Sequence, residues 1–141
     1  MNLVLDTNVL VAALRSRRGA SNALLREVLA GAATWCCSVP LFLEYEDVLL
    51  RAEFVLGTGR TRAEYTGFLD DVAGVIAPVE LNFLWRPQLK DPKDEMVLET
   101  AVNGQADGLV TFNRRDFLPA ADRFGLPVMT PRAVLERLRD E

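Results

Sequence analysis

Short apolar strands alternate with helical patterns along this chain, and this alternation limits its fold more than any other feature. Apolar stretches of strand length lie at residues 3–5, 34–38, 75–79, 108–111 and 128–129. Strands that alternate with helices predict βαβ units, a mostly parallel sheet and helices on both of its faces. We therefore predict an α/β fold with three layers, in the order α/β/α.

Local signals place the helices between these strands. Ser38 suits a helix N-cap and Pro40 the first helical turn, while Thr61 and Glu64 have the spacing of a capping box. The pattern predicts helices at residues 9–14, 20–30, 40–51, 61–72, 94–103 and from 131 onward, with a short turn or helix at 114–118. Residues 54–60 contain two glycines and predict a loop, and residues 80–92 predict an irregular extended segment.

Length and composition indicate a globular protein. The 141 residues, half of them hydrophobic, suit one domain over residues 1–141. No apolar run is long enough to cross a bilayer, and the first residues lack the pattern of a signal peptide, so we expect a cytoplasmic protein without membrane contact. Cys36 and Cys37 are adjacent in an apolar run, which is typical of inert buried thiols.

The absence of histidine narrows the possible chemistry. With no histidine, the chain cannot form a Ser-His-Asp or Cys-His nucleophile system or a histidine-ligated zinc site. An enzyme of this composition must use carboxylates, which favour hard ions such as Mg²⁺ or Mn²⁺. The net charge of −4 argues against broad electrostatic capture of nucleic acid, but it allows a local basic rim.

Carboxylates follow the strands at one edge of the predicted sheet. Asp6 ends the first strand, Glu44 lies one turn into the helix after the second, and Asp94 opens the helix before the fourth. Asn113 and Asp116 come after the fourth strand. Ligands of open α/β sheets bind at the carboxyl ends of the strands. Grouped carboxylates raise one another's pKa, and a divalent cation removes that cost, so this edge predicts a metal site.

Each of these residues also has a purely structural explanation. Asp6, followed by Thr7 and Asn8, suits a helix N-cap. Asp91 and Asp94 could cap the helix that they precede or open. Glu44 could be a solvated helix residue, and Asp116 a turn residue.

Five segments resemble the motifs of the PIN domain family in their order and spacing. They are residues 3–8 (LVLDTN), 40–46 (PLFLEYE), 91–98 (DPKDEMVL), 106–111 (ADGLVT) and 126–131 (LPVMTP). The resemblance extends over nearly the whole chain, and the nearest group is the VapC-like toxins of bacterial toxin–antitoxin systems. It implies an endoribonuclease that depends on Mg²⁺ or Mn²⁺, in which metal-bound water attacks a phosphodiester.

The resemblance also implies roles for individual residues. Asp6, Glu44 and Asp94 match the acidic metal-binding positions of the family, and Asn8 matches a polar residue that supports the first of them. The fourth acidic position follows Thr111 by two residues, and here it is Asn113. An amide oxygen can ligate a cation but brings no charge. Asp116 could compensate for it if the turn allows.

The resemblance and the basic residues together suggest partners. An RNA substrate, a cognate antitoxin and a homodimer or higher homo-oligomer are expected. A phosphate-binding rim, or else a set of solvated loop charges, is predicted at Arg15, Arg17, Arg18, Arg114 and Arg115. Phe83 and Trp85 could stack on bases, or pack on the core or on a partner subunit.

Two other functions remain open at this stage. A catalytically weakened PIN domain could bind RNA or protein without cleaving, and Asn113 and the acidic charge favour this alternative. A phosphotransferase could use Asp6 as its nucleophile. Enzymes of that kind carry a second Asp two residues later, where this chain has Asn8.

Overall fold

The computed structural model describes residues 1–83 and 86–140. Trp85, for which base stacking was considered, lies outside the described residues. The elements in chain order are β1 (Asn2–Leu5), α1 (Thr7–Arg15), α2 (Ala20–Leu29), β2 (Thr34–Cys37), α3 (Val39–Leu49), α4 (Ala52–Thr58), α5 (Arg62–Val75), β3 (Ala77–Pro78), α6 (Pro92–Asn103), β4 (Gly108–Val110), α7 (Arg114–Arg123), β5 (Val128–Met129) and α8 (Pro131–Arg139).

The five described strands form a parallel sheet in the order β3-β2-β1-β4-β5, as the alternation of strands and helices predicts. In this register Leu5 lies opposite Val110, and Val110 lies opposite Met129. The chain passes from β1 to β2 on one side, whereas β4 adds to the other side of β1. The strand order therefore reverses between β1 and β4, which is where open α/β sheets bind ligands.

Helices cover both faces of the sheet. Crossovers between parallel strands are right-handed. The chain moves across the sheet in one direction from β1 to β3 and in the other direction from β3 to β5. Helices α1 and α2 therefore lie on one face of the sheet, and α6 and α7 lie on the other. Contacts of α2 with α1 and α8, and of α6 with α7, agree with this arrangement. The three-layer α/β/α prediction is confirmed. In the described part of the chain, no helix has the length and apolar character needed to cross a membrane.

A buried hydrogen-bond chain ties α3 to the end of β1. The indole N–H of Trp35 donates to the hydroxyl of Tyr45 at 3.3 Å, and that hydroxyl donates to the carbonyl of Leu5. Both rings are almost completely buried. The residue after Leu5 is Asp6, so these two hydrogen bonds hold the backbone next to the first carboxylate.

The helix N-termini agree with the sequence signals, but one loop prediction is wrong. Ser38 accepts a hydrogen bond from the N–H of Leu41, and Thr61 forms the capping box with Glu64. Residues 54–60 were predicted as a loop, yet Ala52–Thr58 is the helix α4. Phe54 of this helix is 5% exposed, and its ring centroid lies 5.3 Å from that of Tyr65. Burial of this aromatic ring offsets the roughly 1 kcal/mol that a helical glycine costs.

Several boundaries also differ from the predicted ones, three of them as follows. Helix α7 reaches Arg123 rather than residue 118, because a face containing Phe117 and Ala121 packs into the core. Helix α6 starts at Pro92 rather than 94. The strand predicted at 75–79 is reduced to Ala77–Pro78, since α5 continues through Val75.

Candidate active site

Asp6 is a buried carboxylate at the point where the strand order reverses. It is 7% exposed, and its backbone N–H donates to the carbonyl of Val110 at 2.9 Å. It occupies the N-cap position of α1, but its side chain makes no capping hydrogen bond. Burial raises its pKa, and the Thr111 hydroxyl and the nearby N–H groups of Thr7 and Asn8 offset this only in part. The capping explanation therefore does not account for this side chain.

The hydroxyl of Thr111 joins the ends of β1 and β4. It donates to Oδ2 of Asp6 at 2.7 Å and accepts from the backbone N–H of Asn113 at 3.0 Å. The side-chain amide of Asn8 donates to the same hydroxyl at 3.5 Å. Thr111 itself is fully buried. The side chain of Asp6 is thus oriented by a residue 105 positions away in the sequence.

Asp94 and Glu44 lie within electrostatic range of Asp6. The pKa of Asp94 is raised to about 6, first by burial and then by the charges of Asp6, Asp91, Asp116 and Glu44. The pKa of Glu44 is also raised by burial and by Asp6, whereas Lys93 lowers it. These mutual effects mean that the charges of the three residues influence one another at the same edge of the sheet.

Asp116 lies near Asp6 and Asp94, whereas Asn113 contributes only its backbone N–H, which bonds the hydroxyl of Thr111. The charge of Asp116 raises the pKa of both Asp6 and Asp94. Asn113 is exposed at the N-cap position of α7, where its side chain makes no capping hydrogen bond. Asp91 does cap its helix, because its carboxylate accepts from the N–H of Lys93 at 2.9 Å. The structural explanation therefore holds for Asp91.

The donor set at this edge suits a hard divalent cation. Asp6, Glu44 and Asp94 are oxygen ligands whose shared repulsion a cation would relieve. In addition, Oδ1 of Asn8 is buried without a hydrogen-bond partner. Nevertheless, across residues 1–83 and 86–140 no three His, Cys, Asp or Glu side chains are close enough to hold a metal ion as they stand. A cation shared by Asp6, Glu44 and Asp94 would need these side chains to move closer together.

A cleft of about 540 Å³ opens beside the carboxylates. Its lining includes Gln88, Lys90, Asp91, Asp94, Arg115 and Asp116. One wall is held by Glu95, which is 3% exposed and accepts hydrogen bonds from the N–H groups of Gln88 and Leu89 at 2.7 and 2.9 Å. Four residues later on α6, Glu99 binds Arg86 through two hydrogen bonds of 2.9 and 2.7 Å. Sequence reasoning assigned no such role to this pair, although their i, i+4 spacing puts them on one face of a helix.

The five arginines predicted as one rim occupy different surroundings. Arg115 lines the acidic cleft, whereas Arg114 donates to the carbonyl of Val128 at 3.0 Å. Arg15 lies over the ring of Phe54, 5.4 Å from its centroid. Arg18 lines a separate groove between α2 and α8, and Arg17 is exposed in the loop before it.

Phe83, the other predicted stacking residue, is placed over α6. It lines a small pocket with Leu98, Val102 and Phe124, and its backbone bonds the side chain of Asn103. It does not line the cleft beside Asp94. Its side chain is 56% exposed, so the pocket covers only part of the ring.

Comparison with known proteins agrees with the fold and with the motifs. The sequence model of the PIN domain family matches residues 2–115. A chain in the crystal structure of VapBC2 from Rickettsia felis, bound to a DNA fragment from their promoter, has a similar fold with a TM-score of 0.62. The two chains are 15% identical over 92% of this chain and 98% of the other, so this likeness concerns the fold alone. No protein of curated function matches the sequence.

Proposed function

This chain belongs to the PIN domain family, and we propose that it is a metal-dependent endoribonuclease, the toxin of a toxin–antitoxin pair. PIN domains are generally nucleases that use divalent metals. The observation that carries the proposal is the group of buried and half-buried carboxylates, Asp6, Glu44 and Asp94, whose pKa values are all raised. Such a group is costly to the fold without a cation and is useful with one.

Asp6, Glu44 and Asp94 would hold the cation, which is Mg²⁺ or Mn²⁺ in this proposal. When bound, the ion lowers the pKa of a water molecule and stabilises the charge that develops on the phosphate. Thr111 keeps the carboxylate of Asp6 in one orientation through its 2.7 Å hydrogen bond. Such preorganisation reduces the cost of assembling the site when substrate arrives.

The cleft beside these carboxylates suits the RNA next to the scissile bond. Lys90 and Arg115 line it and can bind phosphate oxygens on either side of the cleavage point. Asp116, in the same lining, would supply part of the negative charge that Asn113 does not.

Substitution of the first carboxylate tests the nuclease proposal. Asp6→Asn should abolish Mn²⁺-dependent cleavage of total RNA while the far-ultraviolet circular dichroism spectrum stays unchanged. Asp70→Asn, on the exposed face of α5, is the matched control and should cleave like the parent. Near-normal cleavage by Asp6→Asn would refute the proposed mechanism.

The toxin part of the proposal rests on the resemblance of the motifs to VapC-like proteins. An arginine of the antitoxin would pair with Asp6, Glu44 and Asp94 and so replace the cation. Co-expression with the product of the neighbouring open reading frame should yield a stable complex without nuclease activity. Recovery of a fully active complex would contradict this part of the proposal and leave the nuclease assignment intact.

A weakened PIN domain that binds without cleaving is the second candidate, and Asn113 favours it. A neutral amide attracts a divalent ion less than a carboxylate at the same distance. Metal titration separates the two candidates, because a domain without catalysis lacks a tight metal site and shows no cleavage at any Mn²⁺ concentration.

A further inference from the structure

A second groove, apart from the acidic cleft, lies between α2 and α8. It encloses about 450 Å³, and four of the residues that line it are arginines: Arg18, Arg26, Arg132 and Arg139. Glu136 is the acidic residue of the same lining. In a protein with a net charge of −4, this concentration of guanidinium groups is a distinct local feature.

Most of this positive charge is not neutralised within the structure. Arg139 pairs with Glu27 at 3.4 Å. Among residues 1–83 and 86–140, however, no ion pair includes Arg18, Arg26 or Arg132. Three arginines that form no ion pair in the described part of the chain therefore line one groove, and Glu136 is the acidic residue beside them. Mutual repulsion among these groups would be relieved by a bound polyanion.

The groove begins at the same edge of the sheet as the acidic cleft. Arg18 lies near Arg132 at the helix starts, and Glu27 pairs with Arg139 at the helix ends, so α2 and α8 run in the same direction. Helix α8 starts directly after β5, whose Met129 is level with Val110 and Leu5. Two interstrand spacings, roughly 10 Å, thus separate the end of β5, after which α8 begins, from the end of β1, which Asp6 follows. The groove itself lies on the face of the sheet that α2 covers, so a strand that leaves the cleft reaches it across this edge.

The acidic cleft offers a polyanion fewer basic than acidic side chains. Asp91, Asp94 and Asp116 line it, and only Lys90 and Arg115 oppose them. An RNA strand held there is repelled wherever no cation screens the carboxylates. Cationic contacts outside the cleft would strengthen the binding of such a strand, and the groove offers three arginines for them.

We propose that the groove of Arg18, Arg26 and Arg132 binds the phosphodiester backbone of the RNA strand that extends from the acidic cleft. This inference rests on the proposed nuclease function and adds a site to it. Guanidinium groups bind phosphate through two parallel hydrogen bonds, which suits a backbone rather than particular bases. An acidic peptide fits less well, because the apolar lining consists of Leu135, which is buried, and the small residues Ala20 and Ala23.

The test measures binding without cleavage. Anisotropy of a fluorescein-labelled 12-residue oligouridine is titrated with the protein in EDTA at several salt concentrations. Arg26→Gln/Arg132→Gln should weaken binding at least 10-fold at low salt. It should also reduce the slope of log K against log salt by about 1.4, since each phosphate contact to a single strand contributes about 0.7.

Two matched variants make the result specific. Arg60→Gln/Arg62→Gln removes the same charge before and at the start of α5, which does not line the groove, and it should bind like the parent. Arg26→Lys/Arg132→Lys keeps the charge and should restore most of the salt dependence. If the double glutamine variant does not fold, Arg132→Gln alone supplies the answer, because loss of one phosphate contact should reduce the slope by about 0.7.

The outcomes separate this inference from the nuclease proposal. Equal binding by the groove and control variants, or no binding of the oligonucleotide by the parent, would overturn the inference even if RNA is cleaved. Stronger groove-dependent binding of duplex DNA or of polyglutamate would overturn it as well. Loss of binding in the groove variant supports it even if the parent cleaves no RNA. If the parent does cleave, the groove variant should raise KM and leave kcat unchanged.

Discussion

Metal-free protein should become more stable at neutral pH when Asp94 is replaced by Asn. The pKa of Asp94 is about 6 in the folded protein, against an ordinary value of 3.8. Each pKa unit corresponds to about 1.4 kcal/mol, so the full difference would be about 3 kcal/mol. Since Asp94 is only half-buried, solvent screening reduces this to on the order of 1 kcal/mol.

The direction of the pH dependence follows from the raised pKa. The folded protein binds the Asp94 proton more tightly than the unfolded chain, so protonation favours folding. This contribution is fully present below about pH 4, and it is lost as the pH rises through about 6. The free energy of unfolding of Asp94→Asn should therefore equal that of the parent at pH 4 and exceed it by about 1 kcal/mol at pH 7.

Urea unfolding followed by circular dichroism, in EDTA and from pH 4 to 7.5, measures this difference. Addition of Mn²⁺ at neutral pH should reverse the order, because the cation stabilises a parent site that the variant has lost. Ligand at 100 times its Kd adds about 2.7 kcal/mol.

Asp70→Asn serves as the control for this experiment, since Asp70 is exposed on α5 and is not among the charges that raise the pKa of Asp94. Its stability should follow that of the parent at every pH. The reasoning fails if Asp94→Asn is less stable than the parent at pH 7 in EDTA, or if the difference between them does not change with pH.

Two further substitutions probe the wall of the cleft and the fourth ligand position. Glu95→Ala removes the acceptor of the Gln88 and Leu89 N–H groups, so the protein should lose about 2 kcal/mol and both amides should exchange faster with deuterium. Unchanged exchange at the two amides would show that this wall is held by other contacts. Asn113→Asp should lower the Mn²⁺ concentration for half-maximal cleavage, because a carboxylate attracts the ion more strongly. Superimposable titration curves for parent and variant would show that Asn113 has no part in metal binding.

The helix caps, which are governed by local signals, agree with the sequence, whereas helix α4, which depends on a packing contact, does not. The caps at Ser38 and Thr61 are local hydrogen bonds, and both form as predicted. Helix α4 was missed because two glycines at residues 57 and 59 suggest a loop, whereas the deciding contact is between Phe54 and Tyr65. Nothing in the sequence around Phe54 indicates that this contact exists.

The acidic residues of the site follow from the strand pattern, but their electrostatics do not. The carboxyl ends of parallel strands meet at one edge, so Asp6, Asp94 and Glu44 could be named before the fold was known. Their raised pKa values depend on burial and on distances that only the folded chain defines. The same applies to Thr111, whose hydrogen bond to Asp6 joins residues 105 positions apart.

The arginines show most clearly which properties the sequence determines and which the tertiary structure decides. By itself, the sequence determined the parallel α/β architecture and the family, because apolar period, capping residues and motif spacing are all local properties. It suggested one rim of five arginines, yet in the tertiary structure Arg15 covers an aromatic ring, Arg114 bonds a strand and Arg18 faces a groove with Arg26 and Arg132. Only tertiary packing decides which distant side chains share a surface, since the packing of α8 against α2 brings residues more than 100 positions apart into one groove.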